Sequence, residues 1–170
     1  MDIKDGIYYH IHNRMFAPDS WKIGNKILFC KEYYNFFFNY YVNVNLKKSN
    51  CALDIDTKLK EYTMLIRELI YEEVRNKYFP ELPSRRHCAW LCDEDALELW
   101  KNTLGRDCDV YKVRATGNIH CCYAGGLDND NINYNILFKK AFMYWKGECI
   151  GNPLEKEYLF EGEIEVLQKV

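Results

Sequence analysis

No run of eighteen consecutive apolar residues occurs in this chain, and its opening residues, Met1-Asp2-Ile3-Lys4-Asp5, contain no basic stretch followed by an apolar one. The sequence therefore predicts a protein made and kept in the cytoplasm, without a membrane partner. A GxxxxGK[ST] loop and a GxGxxG turn are both missing, so P-loop and Rossmann readings fall away, and there is no GxSxG elbow for a serine nucleophile. CxxC pairs are missing as well. The eight cysteines include Cys88 and Cys92 with three residues between them, a spacing that gives no standard zinc site. In a reducing compartment they form no disulfide framework, and Cys88, Cys92, Cys121 and Cys122 are expected as small buried strand residues. No metal is expected. A formal net charge of -2 argues against a general nucleic-acid coating protein but leaves room for a local basic groove.

Nothing resembling a flexible linker divides the 170 residues, a length suited to one hydrophobic core, so residues 1–170 are read as one domain. Hydrophobic residues make up 48%, with nine Phe, four Trp and fourteen Tyr to fill that core, and 28% charged residues cover its surface. Gly6 to His12 alternates in a Tyr-rich extended context and predicts a first strand ending at Asn13-Arg14, with turns at Pro18-Asp19 and Gly24-Asn25. The aromatic stretch from Tyr33 to Val44 has no clean period and reads as core packing or as a lid over a pocket. From Asp54 or Asp56 a capped helix is predicted, with Leu59, Tyr62, Ile66, Leu69, Ile70 and Val74 at helical spacing and an end before Pro80. Cys88 to Cys92 predicts a short buried strand, and Asp93 caps a helix that closes at Gly105. Asp109 to Ala115 and Ile119 to Tyr123 predict two neighbouring strands separated by Thr116-Gly117-Asn118. The loop from Gly125 to Asn131 is acidic but lacks the fixed glycine and glutamate of a calcium loop. A helix over 133–146 stopped by Gly147, and a last strand from Glu157 to Gln168 with a bulge at Gly162, complete an α+β order.

The residues that carry chemistry are few. They are the strand Tyr8-Tyr9-His10, the segment Pro83-Ser84-Arg85-Arg86-His87, and the glutamates around the last strand. Tyr8-Tyr9-His10 is similar to the first motif of ADP-ribosyltransferases with a histidine-led triad, enzymes that split NAD and transfer its ADP-ribose. Glu157-Tyr158-Leu159-Phe160, followed by Gly162 and Ile164, resembles the glutamate strand of the DNA-modifying transferase toxins of bacterial toxin–antitoxin pairs. The family's middle motif, a hydroxyl residue on an inner strand, has no counterpart, since the matching strand offers Trp90. The resemblance implies a single-domain α+β fold: a split, mostly antiparallel sheet with flanking helices and NAD, as substrate, in the cleft between its halves. It implies His10 at the adenosine ribose and Glu157 as the catalytic residue. Nicotinamide stacking stays open among Trp90, Tyr9 and Tyr34. Arg14 and Arg85 are candidates for the diphosphate because a planar guanidinium grips phosphate oxygens two at a time; Arg14 is favoured because it directly follows the His10 strand.

Cleaving the nicotinamide bond develops positive charge on the ribose ring, so a fixed carboxylate beside that ring gains interaction energy as the bond breaks. For the acceptor, Glu155 stands two positions before Glu157, as in arginine-modifying transferases whose first glutamate engages the incoming guanidinium. The last-strand match is closer to nucleic-acid-modifying toxins, so single-stranded RNA or DNA is the expected target, in a toxin or phage-defence effector. The resemblance then implies an antitoxin protein as partner. Two alternatives remain: a catalytically inactive nucleotide- or partner-binding module of the same fold, and a small zinc or thiol protein using Cys88, Cys92, His120, Cys121 and Cys122.

Overall fold

The computed structural model describes residues 1–14, 21–32, 53–105, 107–127 and 133–170. The expected turn at Pro18-Asp19, the aromatic stretch 33–44 with Tyr34, and most of the acidic loop 125–131 lie outside them. In chain order the elements are β1 (Asp2–Asn13), β2 (Lys26–Phe29), α1 (Leu53–Tyr78), β3 (Ala89–Leu91), α2 (Glu94–Leu104), β4 (Cys108–Tyr123), α3 (Tyr134–Trp145) and β5 (Lys156–Lys169). The architecture is α+β, with an antiparallel sheet of five strands in the order β1-β4-β5-β2 and β3 also paired to β5.

The long β4–β5 ribbon is the frame. It runs from Tyr111 opposite Lys169 to Tyr123 opposite Lys156. The expected break at Thr116-Gly117-Asn118 is absent, and β4 is one continuous strand. Its Gly117 is paired with Gly162 of β5, and a Cβ on Gly117 would stand 2.3 Å from the Glu161 carbonyl oxygen. Gly162 is therefore a site of close backbone approach, not the expected bulge; the register shift of this ribbon falls between Lys112 and Val113. A glycine inside a strand pattern carries both meanings, and only the cross-strand partner separates them. β2 was not expected from the sequence, because its four residues are too short to show an alternating pattern.

Strand alternation sorts the sheet into two faces. One face gathers Val113, Ala115 and Ile119 of β4, Phe160, Ile164 and Val166 of β5, and Ala89 and Leu91 of β3 into one apolar cluster with Trp21 and Phe29. The other packs Cys122 and Leu159 against Ile70, Tyr71 and Val74 of α1 and Leu137, Ala141, Tyr144 and Trp145 of α3. Two hydrogen bonds of 2.9 Å between the backbones of Tyr9 and Cys92 bring the end of β3 back to β1, so the sheet curls around the first cluster.

The helix boundaries follow their caps. Asp93 accepts from the Ala96 N–H at the start of α2, whose C-cap is Gly105, and Asn133 accepts from the Asn135 and Ile136 N–H groups at the start of α3. In α1 the expected helix forms but its expected apolar face does not. Ile70 and Val74 are buried, whereas Leu59, Ile66 and Leu69 are 63%, 42% and 43% exposed, and Thr63, Arg67, Glu68 and Glu72 are buried instead. The reason is electrostatic: the sheet-facing side of α1 belongs to a buried ion-pair network.

Candidate functional site

That network is built on Arg85, in the segment that leads into β3. Arg85 is buried, and its guanidinium grips Glu68 of α1 through Nε at 2.6 Å and Nη2 at 3.1 Å, a two-bond ion pair. Nη1 reaches Glu157 Oε1 at 3.1 Å and also donates to the Tyr144 hydroxyl of α3. The Tyr144 hydroxyl in turn donates to Glu157 Oε1 at 2.5 Å. Beneath them the Cys122 thiol faces the same oxygen at 3.9 Å. Arg67 adds a second cation to Glu68 at 2.7 Å. The guanidinium also lies over the rings of Tyr144 and Trp90, at 5.2 and 5.5 Å.

A second carboxylate fixes the approach to β3. Glu72 accepts from the Ser84 hydroxyl at 2.7 Å and from the Arg85 backbone N–H at 2.8 Å, and Arg75 donates to it at 3.2 Å. Glu161 of β5 accepts from the Ser84 N–H at 2.7 Å. The main chain of Ser84-Arg85 is thus clamped between α1 and β5, and this clamp aims the Arg85 side chain. Burial works against the charges of Glu68 and Arg85, but each offsets the other's desolvation. With Arg67 added, the Glu68 carboxyl is held below its usual pKa; with Tyr144 and Glu157 added, the Arg85 guanidinium is held well above its own. Burial pushes the Tyr144 hydroxyl well above 10, so it is a protonated donor at neutral pH.

A cleft of about 360 Å³ opens beside this clamp, lined among others by Lys31, Glu72, Ser84, Arg86, His87 and Glu161. Its volume falls in the range of small-molecule sites. Glu157 does not line it.

Of the residues singled out by sequence, the structure brings together Arg85, Trp90 and Glu157. The others stand elsewhere. His10 is on the opposite face of the sheet: its ring stacks on Trp21 at 3.9 Å, and its Nδ1 bonds the Trp90 carbonyl at 2.9 Å. A carbonyl only accepts, so Nδ1 carries the proton and Nε2 is the acceptor for His12 Nδ1 at 3.4 Å. His12 Nε2 is then left as a bare, buried nitrogen without a hydrogen-bond partner. Burial lowers the His10 pKa to about 4. The backbone of β3 stands between His10 and the Arg85 cluster, bonded from one side and ringed by Trp90 on the other. Tyr9 points away from His10 by strand alternation and is tied to Cys92 through its backbone. Arg14 is exposed and paired with Asp109 at 2.7 Å, near the start of β4, whereas Glu157 pairs with Cys122 near its end. Glu155 lies in the short 3-10 turn before β5, its carboxylate against Gly125 and Gly151.

Sequence reading missed Glu68, Glu72, Ser84 and Tyr144. The signal was present as acidic residues four apart within the stretch also read for its apolar spacing, and as a hydroxyl directly before Arg85. For the cysteines, Cys88, Cys92 and Cys122 are buried, as expected, and Cys121 is partly so. Burial raises the Cys92 thiol to about 12 and Cys88 and Cys122 well above 9, which makes them poor nucleophiles. Among the described residues no three His, Cys, Asp or Glu side chains gather as a metal site. Cys121 and Cys122, adjacent in β4, face opposite sides of the strand.

No curated protein matches the chain. The family described as "protein of unknown function (DUF2441)" matches residues 8–170, and the chain belongs to that family.

Proposed function

We propose that the protein is an NAD-dependent mono-ADP-ribosyltransferase acting on single-stranded nucleic acid, with Glu157 as the carboxylate that drives bond cleavage. One observation carries this reading. Glu157 sits at the start of the last strand with one oxygen held between a phenol and a guanidinium, and that guanidinium lies over the Trp90 ring. Such a fixed carboxylate gives its charge to a developing oxocarbenium ion without first reorganising water. Tyr144 and Arg85 set its direction, and Trp90 offers a face for the nicotinamide ring. The neighbouring cleft supplies Lys31, Arg86 and His87 as cationic or protonatable groups suited to a diphosphate. In this form of the proposal His10 does not hold the adenosine ribose; it fixes β3 from the far side through the Trp90 carbonyl.

The test is incubation of the protein with labelled NAD and a cell lysate, wild type beside Glu157→Gln, followed by separate nuclease and protease digestion. The expected result is label that depends on Glu157, falls about 100-fold or more in the variant, and is lost to nuclease. Equal labelling by both proteins ends the assignment of Glu157, and label lost to protease moves the acceptor to protein, the arginine-modifying alternative with Glu155.

A second reading, a nucleotide- or partner-binding module without chemistry, is favoured by one specific observation. Glu157 is only 8% exposed, and His10 faces the other side of the sheet. NAD binding measured by calorimetry with no label transfer selects it.

A further inference from the structure

Along α3, Tyr134, Phe138 and Phe142 recur at every fourth residue, which sets their rings in a line on one flank of the helix. Tyr134 stands 5.9 Å from Phe138, ring centre to ring centre, and Tyr78 at the end of α1 stands 6.1 Å from Phe138 and 5.4 Å from Phe142. Phe79 closes the line at 5.3 Å from Phe142. The phenylalanines have an ordinary task, since Phe79, Phe138 and Phe142 are partly buried against the core cluster of α1, α3 and the sheet. The two tyrosines do not share it. Tyr78 and Tyr134 are 44% and 50% exposed, and among the described residues neither hydroxyl has a hydrogen-bond partner. Their contacts with phenylalanine fix where the rings stand, and about half of each side chain is left to solvent.

The charges on α3 beside this line have one sign. From Asn133 to Lys146 there are lysines at 139, 140 and 146 and no carboxylate. Lys139 follows Phe138 directly and lies one turn before Phe142, so it borders the ring line on its solvent side. Lys77 stands over the Tyr78 ring at 5.3 Å. Among the described residues neither Lys77 nor Lys139 pairs with a carboxylate, whereas Lys146, one turn past Phe142, is held by Glu148.

The geometry points to a platform for single-stranded nucleic acid, in which unpaired bases stack on Tyr78 and Tyr134 while Lys77 and Lys139 meet the backbone phosphates. Tyrosine faces accept any base, and ammonium groups on flexible stems take phosphates as point charges, so the platform binds without base preference. Both tyrosines lie within 6.1 Å of Phe138, which lets bases close together on one strand reach both. A duplex keeps its bases stacked on one another and offers the rings only its ends. The choice of ligand rests on the acceptor class proposed above, but none of these contacts involves Glu157.

Fluorescence anisotropy of a labelled oligothymidylate and a labelled oligouridylate of about fifteen nucleotides on the full chain tests the platform. Micromolar affinity that weakens as salt rises is expected, with a duplex of equal length bound more weakly, and the tighter of the two oligomers names the strand as DNA or RNA. Tyr78→Ala and Tyr134→Ala are each expected to weaken binding at least about fivefold with unchanged far-ultraviolet circular dichroism. Lys139→Glu is expected to weaken it with a shallower salt dependence, and Ile136→Ser, at an exposed position of α3 away from the ring line, to leave it unchanged. Glu157→Gln is expected to bind like the wild type, which supports the platform even where no label is transferred. No binding of either oligomer at about 100 μM protein, equal binding by the wild type and both tyrosine variants, or a preference for duplex overturns the platform, and none of these results bears on the catalytic assignment of Glu157.

Discussion

Replacing Arg85 by methionine probes the network most directly, because the side chain keeps much of its length and loses all of its donors. Arg85 gives two bonds to Glu68, one to Tyr144 and one to Glu157, and it is 3% exposed. Its removal leaves Glu68 with Arg67 alone and Glu157 with the Tyr144 hydroxyl, both carboxylates still out of water. Breaking a buried pair in this way costs about 3–5 kcal/mol, against a typical total stability of about 5–15 kcal/mol. With a urea slope of about 2–3 kcal/mol per M, the unfolding midpoint falls by about 1–2.5 M. Adding Glu68→Gln removes one stranded charge, so the double variant is expected to be more stable than the sum of the two singles, with a coupling of about 1–3 kcal/mol. Lys26→Met, which removes the Lys26–Glu163 pair with side chains 61% and 49% exposed, is the control and leaves the midpoint unchanged. A loss below about 1 kcal/mol for Arg85→Met, or strict additivity with Glu68→Gln, refutes the buried network.

His10 gives stability a pH dependence. Unfolded, it takes its proton near 6.5; folded, only near about 4, so between those values the unfolded chain binds the extra proton. Stability is therefore full above about 6.5 and declines as the pH falls to about 4, by at most about 3 kcal/mol at about 1.36 kcal/mol per unit. Urea unfolding at pH 7 and pH 5 is expected to show this slope in the wild type and a shallower one in His10→Phe, and equal slopes contradict it. Gly117→Ala places a methyl 2.3 Å from the Glu161 carbonyl oxygen at a φ of +154° and is expected to cost about 2 kcal/mol or more, read as a lower melting temperature. Asp93→Ala removes the cap of α2 and the partner of Lys156 and the Tyr158 hydroxyl, and is expected to cost about 1–2 kcal/mol in the same assay.

The elements that sequence located correctly are those whose signals are local. Asp93 and Gly105 bound α2, Asn133 begins α3, and alternation marks β1 and β5, because each signal is written within a few residues of the boundary it sets. What failed is what depends on a distant partner. Gly117 looks like a break in one strand, and only the facing Gly162 makes it the continuous middle of β4. The apolar spacing of α1 predicts a helix correctly and its buried side incorrectly, because the periodicity states that a face exists but not what it meets. Glu68 and Glu72 outweighed that periodicity through Arg85 and Ser84, residues of another segment.

The candidate site shows the same limit in sharper form. Glu157 and Arg85 were each legible as possible participants, but their contact was not, since the residues between them include β4 and α3, and Tyr144 of α3 completes the arrangement. His10 and Glu157 were read as a pair because they occupy the first and last strands. Strand alternation gives each residue a face only relative to its own neighbours, and the relation between β1 and β5 is set by the register of β4 between them: His10 opposite Tyr111, Cys122 opposite Glu157. Tyr111 and Cys122 are separated by an odd number of steps along β4, so they point to opposite faces, and their partners do too. A shift of one residue in either pairing would have put His10 and Glu157 on one face. Their placement on opposite faces is thus a consequence of register, and His10 bonds the Trp90 carbonyl; the proposal gives it a positioning role there in place of contact with NAD. NAD affinity of His10→Phe tests this difference: direct contact predicts a loss of binding at every pH, whereas the positioning role predicts a loss that tracks the order of β3, read as hydrogen exchange of the Leu91 and Cys92 amides.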